Sequence, residues 1–446
     1  MESCRPVLLD DEAVLAGGLG GAFRLGRLAE IAFALVLGKR TRHRIQFDRM
    51  VSMASKPRPA VRDPDAAVTQ HLITHRRELH AAPELSFKEI ETAHYIAERL
   101  DPLGVDKLTP GVGGTGVVAE IRGQRPGRSV LVRADMDGLP LTEIADVPFR
   151  STRKGVMHAC GHDVHMAIAL ELVRSLSERR PELPGMVRFA FQPAEEQAGG
   201  AKPMIDAGVL DGIDRVIGLH VWSQLPTGQV CVPPGVVMAS ADMFTLIIRG
   251  RSGHGAQPNL TIDAVVIAAQ VVTALQTLVS RETSPVSPVV ITLGSVHGGS
   301  AANIVAGEVV LQGTLRTFEA ELRRHLLTRI AQVAEGIAGT MRGSSEFRHD
   351  SGTPPTINDP GIARLVKEAA SGVVGSDAVV MSEPLMVGED FAYFLEARPG
   401  CFFLLGGAPE GPPIVHHTPE FRIDERCLPI GFEVMTAAVL RLLQPD

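Results

Sequence analysis

The chain is expected to be an α/β protein: a largely parallel sheet, mixed at an edge and covered by helices, interrupted by a smaller ferredoxin-like unit. Three observations predict this. Between residues 116 and 221, short β-branched runs separated by Gly alternate with helical stretches. Residues able to bind a ligand fall at the ends of those runs. From Asp242 the order changes to β-α-β-β-α-β, and the chain then returns to the first pattern. At 446 residues it exceeds what one core normally holds.

Residues 1–64 read differently from the rest. The apolar run Ile31 to Gly38 is too short to span a bilayer, and no signal-peptide order of charged, apolar and small residues is present. A basic run (39–44) and a Pro-rich stretch (56–64) follow, so this part is expected to be a disordered or spurious extension, with translation starting at Met50 or Met53. From residue 65 the pattern is that of a folded domain. Ser86, Phe87, Lys88 and Glu89 spell a capping box, with Leu85 and Ile90 as its hydrophobic staple, which predicts a helix from Phe87 to Leu100. Strands are expected at 116–121, 129–134, 186–191 and 215–221, with a helix from Asp163 to Glu178.

The expected domains are a first catalytic part over 65–241, an insert over 242–353 and a second catalytic part over 354–446. In the insert, strands at 243–249, 289–296, 305–314 and around Phe347 flank helices at 261–281 and 319–338. The first of these helices is apolar on more than one face between Ala264 and Val279, which calls for a partner surface besides its own sheet. The second catalytic part holds a strand at 401–405, the pair His416-His417 and a helix at 428–443.

Composition narrows the function classes. With 45% hydrophobic and 21% charged residues the chain is an ordinary globular protein. A net charge of −7 argues against nucleic acid or an anionic membrane surface as the main partner, and one Trp with two Tyr leaves little for base stacking. Five scattered cysteines without a CxxC pair exclude a disulfide framework or zinc ribbon and fit a cytoplasmic location.

The densest chemistry lies in Met157 to His165, "MHACGHDVH", which places His158, Cys160, His162, Asp163 and His165 together. A thiolate and several imidazoles this close are a metal-binding set. Asp135 and Asp137 follow one predicted strand, Glu195 and Glu196 follow another, and His220 ends a third. Ligands in open α/β sheets bind beyond the carboxyl ends of the strands, so these residues are expected to converge. Alone, Glu195-Glu196 reads as a solvated loop.

The motifs "RRELHAAPELSFKE", "RADMDGLP", "MHACGHDVH", "FQPAEEQAGGAKPMI", "GLHVW", "GRSGHGAQP", "NIVAGEVVLQGTLRTF" and "VGEDFAYF" occur in that order. In these the chain closely resembles the metal-dependent amidohydrolases of the aminoacylase and carboxypeptidase group, in the branch of hippurate hydrolase and plant auxin-conjugate hydrolases. The resemblance covers about residues 67–446. It implies a zinc-peptidase-like α/β/α sandwich whose insert is a lid that also forms a homodimer.

By the same resemblance Cys160, His162, Glu196, His220 and a histidine of the His416-His417 pair hold two divalent metal ions. His417, two residues before Pro419, is the better match. Manganese or zinc is expected, and nickel or cobalt also suits a site with a thiolate. Glu195 is the implied catalytic base, and Asp137 the acid that orients a metal ligand. Of the lid residues, His254 is implied to donate to the developing oxyanion, in the dimer from across the interface, with Asn303 and Arg316 contacting substrate. Arg316 suits a bidentate grip on the carboxylate of an N-acyl amino acid; a surface salt bridge is the equal alternative from sequence. The implied reaction cleaves the amide of a hippurate-like N-acyl amino acid. A dipeptidase or carboxypeptidase on the same scaffold is the nearer alternative, and a non-catalytic metal-binding scaffold the more distant. Asn259 stands where the family usually has a histidine, and Gly255 replaces a larger residue, which alters the expected acyl pocket.

Overall fold

The computed structural model describes residues 65–412 and 414–445, and the expectations for residues 1–64 and the start at Met50 or Met53 lie outside them. The chain runs α1 (Ala66–Ala81), α2 (Ile90–Leu100), β1 (Lys107–Val112), β2 (Gly116–Arg122), β3 (Arg125–Asp135), α3 (His162–Glu178) and β4 (Pro184–Gln192). Next come α4 (Ala201–Asp206), β5 (Arg215–Pro226), β6 (Val230–Cys231) and β7 (Val236–Met238). The insert holds β8 (Ala241–Arg249), β9 (Gly253–His254), α5 (Ala264–Thr277), β10 (Val289–Gly298), β11 (Ile304–Val305), β12 (Glu308–Thr317), α6 (Ala320–Thr340) and β13 (Ser344–Thr353). The chain closes with β14 (Thr356–Ile357), α7 (Pro360–Val374), β15 (Val379–Val380), α8 (Ala392–Ala397), β16 (Gly400–Ala408) and α9 (Cys427–Leu442).

The larger sheet has the order β1-β2-β4-β3-β5-β16-β6-β15. Its centre, β4-β3-β5-β16, is parallel. Antiparallel pairs occur on both flanks, β1 with β2 and β2 with β4 on one side, β16 with β6 on the other, where a single mixed edge was expected. Strand alternation makes two cores. Val130, Val132 and Ala134 of β3 pack with residues of α1, α3, α7 and α9, whereas Leu131 joins Met204 of α4 and Phe394 of α8 on the opposite face. The sheet is therefore the middle layer of an α/β/α sandwich.

The insert is a second sheet, β10-β12-β8-β13, antiparallel throughout. Phe244, Leu246 and Ile248 alternate toward a core shared with Ile267, Val271 and Leu275 of α5 and Leu326 and Ile330 of α6. Helix α5 starts three residues later than predicted, capped by the Asp263 carboxylate on the Val265 and Val266 amides, and a π turn at 278–282 ends it. By length and composition Ala264–Glu282 would suffice to cross a membrane, yet one face of it is core of this sheet. Val265 and Val266 remain 49% and 46% exposed. The strand expected at 305–314 is split into β11 and β12 at Ala306-Gly307.

The capping box does not form. Helix α2 begins at Ile90, three residues late, and Ile90 is too exposed to staple Leu85. The Ser86 hydroxyl donates to Asp137 (2.7 Å) instead of capping, and the Glu89 carboxylate accepts from the amides of Phe87 and Ala194. Tertiary partners outbid the local motif.

Candidate metal centre

Cys160 and His162 flank Gly161, the residue before the first turn of α3, which holds φ 99. A Cβ at Gly161 would come within 2.3 Å of Val221 Cγ1, so only glycine lets the helix start so close to β5. His220 lies within β5, Asp135 ends β3, and Glu195 and Glu196 follow β4. His417 comes from the segment after β16 and itself has φ 61. Thus the parallel strand ends deliver residues from five chain regions to one place.

Several candidate ligand groups result, among them His162-Glu195-Glu196 and Asp135-His162-His165, and two of the triplets share a sulfur. Cys160, His162 and His220 form one, Cys160, Glu196 and His417 the other, with the donor atoms of each within 4.8 Å of one another. Sγ of Cys160 is 3.3 Å from Nε2 of His220 and 3.4 Å from Nε2 of His417. Glu196 Oε1 lies 3.3 Å from Nε2 of His417 and 3.9 Å from Nε2 of His162. The ring orientations are set from behind. His162 Nδ1–H donates to the Asp137 carbonyl (2.9 Å), and His220 Nδ1–H to the Val221 carbonyl (2.7 Å). Both histidines thereby present Nε2 lone pairs inward, as metal ligands do. Nε2 of His162 and Oε1 of Glu196 are buried without a hydrogen-bond partner. These two orphans, with the Cys160 sulfur and the Nε2 atoms of His220 and His417, fit divalent ions of the zinc or manganese class.

The field at the site favours a cation. Burial works to lower the His162 pKa, but Asp135 and Asp137 overcome it and raise it to about 10. Burial, then Glu196 and Glu195, push the Cys160 thiol well up, and burial, then His165, hold His220 well below its ordinary value. Glu195 is pushed well above the usual carboxylate range by burial and by neighbouring Glu389.

His416 points elsewhere. Its ring stacks on Trp222, Nδ1 meets the Ser223 hydroxyl (3.1 Å) and Nε2–H donates to the Val221 carbonyl (3.1 Å). His165 is likewise committed: Nδ1–H donates to Asp135 (2.6 Å) and Nε2 accepts the Val221 amide (2.9 Å). Asp137 receives the Ser86 hydroxyl and the amides of Glu195 and Glu196, both at 3.1 Å.

In the insert, His254 and Asn303 lie on neighbouring segments. β9 pairs with β11, which sets His254 opposite Ile304, and the Gly255 amide donates to the Asn303 carbonyl (2.8 Å). A Cβ at Gly255 would sit 3.0 Å from that carbonyl oxygen. Arg316 on β12 is half-buried and donates only to the Leu315 carbonyl at 3.5 Å; among the described residues it has no ion pair. That argues against the salt-bridge alternative. No hydrogen bond or ion pair among the described residues joins His254, Asn303 or Arg316 to the cluster.

Sequence reasoning gave no role to Arg133, Glu389 and Asp390. Arg133 is fully buried and donates to Asp135, to Gln192 (3.0 Å), to Glu389 (2.9 Å) and to Asp390 (2.9 Å). Donor oxygens of Glu195, Glu389 and Asp390 lie within 4.8 Å of one another. The signal was present: an arginine inside the apolar run of β3, and two adjacent acids in "VGEDFAYF".

Residues 131–441 match the family described as peptidase family M20/M25/M40. An N-acyl-L-amino acid amidohydrolase of Geobacillus stearothermophilus is 46% identical over 292 residues, 65% of this chain and 79% of that protein. Thermostable carboxypeptidase 2 of Saccharolobus solfataricus is 38% identical over 366 residues, 81% of this chain and 92% of that protein. A crystal structure of a dinuclear metal-binding peptidase from Bacillus subtilis superposes with a TM-score of 0.74 at 35% identity, covering 85% of this chain and 99% of that one.

Proposed function

The chain belongs to peptidase family M20/M25/M40 and is a hydrolase, and on that premise we propose that it cleaves the amide bond of N-acyl amino acids. The observation that carries this reading is the pair of triplets sharing Cys160, with Glu195 adjoining them. Divalent ions held by Cys160, His162, Glu196, His220 and His417 would lower the pKa of water and polarise an amide carbonyl. Glu195 is then the base that takes a proton from the attacking water and returns it to the departing nitrogen. Asp137 holds His162 and the Glu195-Glu196 amides in place. His254 is the donor to the developing oxyanion, and Asn303 contacts the substrate. The unpaired guanidinium of Arg316 supports a grip on the substrate carboxylate, which selects N-acyl amino acids over simple amides.

The exposed valines of α5 support a homodimer built on the lid. The four described cysteines are all unpaired, which supports a reducing, cytoplasmic setting. A carboxypeptidase is the second reading, favoured by the relative of that name. Steady-state turnover of hippurate, N-acetyl amino acids and dipeptides, with manganese or zinc added, separates the two. Turnover of peptides without turnover of N-acyl amino acids would replace the first reading by the second.

A further inference from the structure

The loop carrying Glu195 and Glu196 adopts a shape that its own residues disfavour. Ala194 and Ala198 both sit at φ 52, a left-handed conformation in which Cβ crowds the following carbonyl. Inside the loop only two backbone bonds oppose this, Ala198 to Glu195 (2.7 Å) and Gly199 to Ala194 (3.1 Å). The remaining anchors are three buried carboxylates from distant parts of the chain. Asp137 takes the Glu195 and Glu196 amides, and Asp390 takes those of Gly200 (3.3 Å) and Ala201 (3.0 Å). Glu89 takes the Ala194 amide at 2.9 Å.

Glu89 is the unexplained one of the three. It has no exposure to solvent, and although it precedes α2 its side chain makes no capping bond to that helix. Its oxygens instead collect the Thr115 hydroxyl (2.6 Å), the Ala194 amide and the Phe87 amide (3.0 Å). Phe87 is also left-handed, at φ 63, and its ring covers Gly199, where a Cβ would lie 2.6 Å from Cζ. One carboxylate therefore ties the entry of the loop, directly, to the residue that covers its exit.

We propose that Glu89 is a positioning residue for the hydrolytic centre: by holding left-handed Ala194 it aims the carboxylates of Glu195 and Glu196. This rests on the reading of Glu195 as base and Glu196 as a ligand. Glu196 Oε1 lies nearer Nε2 of His417 (3.3 Å) than Nε2 of His162 (3.9 Å), so loosening the loop should weaken the ion held with His417 more than the other.

The test compares wild type, Glu89→Ala, Glu89→Gln and Glu196→Gln by equilibrium dialysis against manganese or zinc and by steady-state kinetics. Glu89→Ala should bind the ion held with His417 about 10–100-fold more weakly and lose less affinity for the other. Its kcat should fall on the order of 10²-fold, the scale for a reacting group displaced by about 1 Å, with KM changed far less. Glu89→Gln retains an oxygen for the Ala194 amide, and its NH2 can donate to the Thr115 hydroxyl, so it should regain the ion held with His417 and most of kcat. Glu89→Ala with two tightly held ions and wild-type kcat overturns the proposal. So does loss of both ions together with thermal stability in both Glu89 variants, which would make Glu89 a residue of the fold alone. If Glu196→Gln loses an ion while Glu89→Ala loses none, only this inference fails; if Glu196→Gln keeps both, the reading of the centre fails with it.

Discussion

Nε2 of His417 faces Sγ of Cys160 across 3.4 Å, although 257 residues separate them along the chain. Since the same sulfur also meets Nε2 of His220 at 3.3 Å, it is the common member of both triplets.

Sharing predicts unequal effects of ligand loss. Cys160→Ser should weaken both ions, because a hydroxyl is a much poorer ligand than a thiolate, whereas His417→Ala should weaken one. His416→Ala should retain both, since that ring serves Ser223, Val221 and Trp222. Metal analysis after dialysis reads the result. Cys160→Ser with two ions held as tightly as in wild type would remove the thiolate from the centre.

The adjacent acids separate the base from the ligand. Glu195→Gln should keep both ions while kcat falls by about 10²–10⁴, because the amide preserves shape and loses basicity. Kinetics beside metal analysis decides it; wild-type turnover in Glu195→Gln would place the base elsewhere.

Arg133 compensates three carboxylates in a fully buried place, those of Asp135, Glu389 and Asp390. Arg133→Met leaves them uncompensated and should destabilise the metal-free protein by about 3–5 kcal/mol. Urea unfolding in chelator measures this, and a loss under about 1 kcal/mol would show that the cluster relaxes around the change.

His75 makes stability depend on pH. Burial, aided by Arg99, lowers its pKa to about 4 from 6.5. The unfolded chain takes up this proton near pH 6.5 and the folded chain only near 4. The contribution is therefore complete above pH 6.5 and lost as pH falls toward 4, at most about 3 kcal/mol. Urea midpoints at pH 7 and 4.5 should differ less in His75→Gln than in wild type; equal differences would exclude His75 as a source.

The lid surface can be probed by charge. With Val265→Asp and Val266→Asp together, light scattering at micromolar concentration should find a monomer, against the dimer proposed for wild type. A wild-type monomer would remove the dimer from the account.

Much of this was legible before folding because strand ends dictate where residues meet. The apolar runs of β3, β4 and β5 placed Asp137, Glu195, Glu196 and His220 at one rim, and "CGH" supplied Cys160 and His162 at a helix start. Ser86 and Glu89 misled for a physical reason: a local pattern cannot show that Asp137 and Ala194, far off in sequence, compete for the same groups. Arg133 stayed silent because two of its carboxylate partners, Glu389 and Asp390, lie 256 and 257 residues away. His254, Asn303 and Arg316 lie in the insert, and periodicity alone assigns them no role.

The order β5-β16-β6 has a consequence for biosynthesis. A chain emerging from the ribosome as far as Thr353 already contains every strand of the insert's sheet. The central sheet is different: among the described residues β6 pairs only with β16 and β15, and β5 keeps one edge open until β16 arrives. Co-translational folding should therefore deliver the insert first and leave the nascent larger sheet with an unpaired parallel edge, a template for aggregation. The thiol of Cys160 is translated 257 residues ahead of His417, so the triplet with Glu196 and His417 can close only after residue 417 is made, whereas the triplet with His162 and His220 needs the chain only as far as His220.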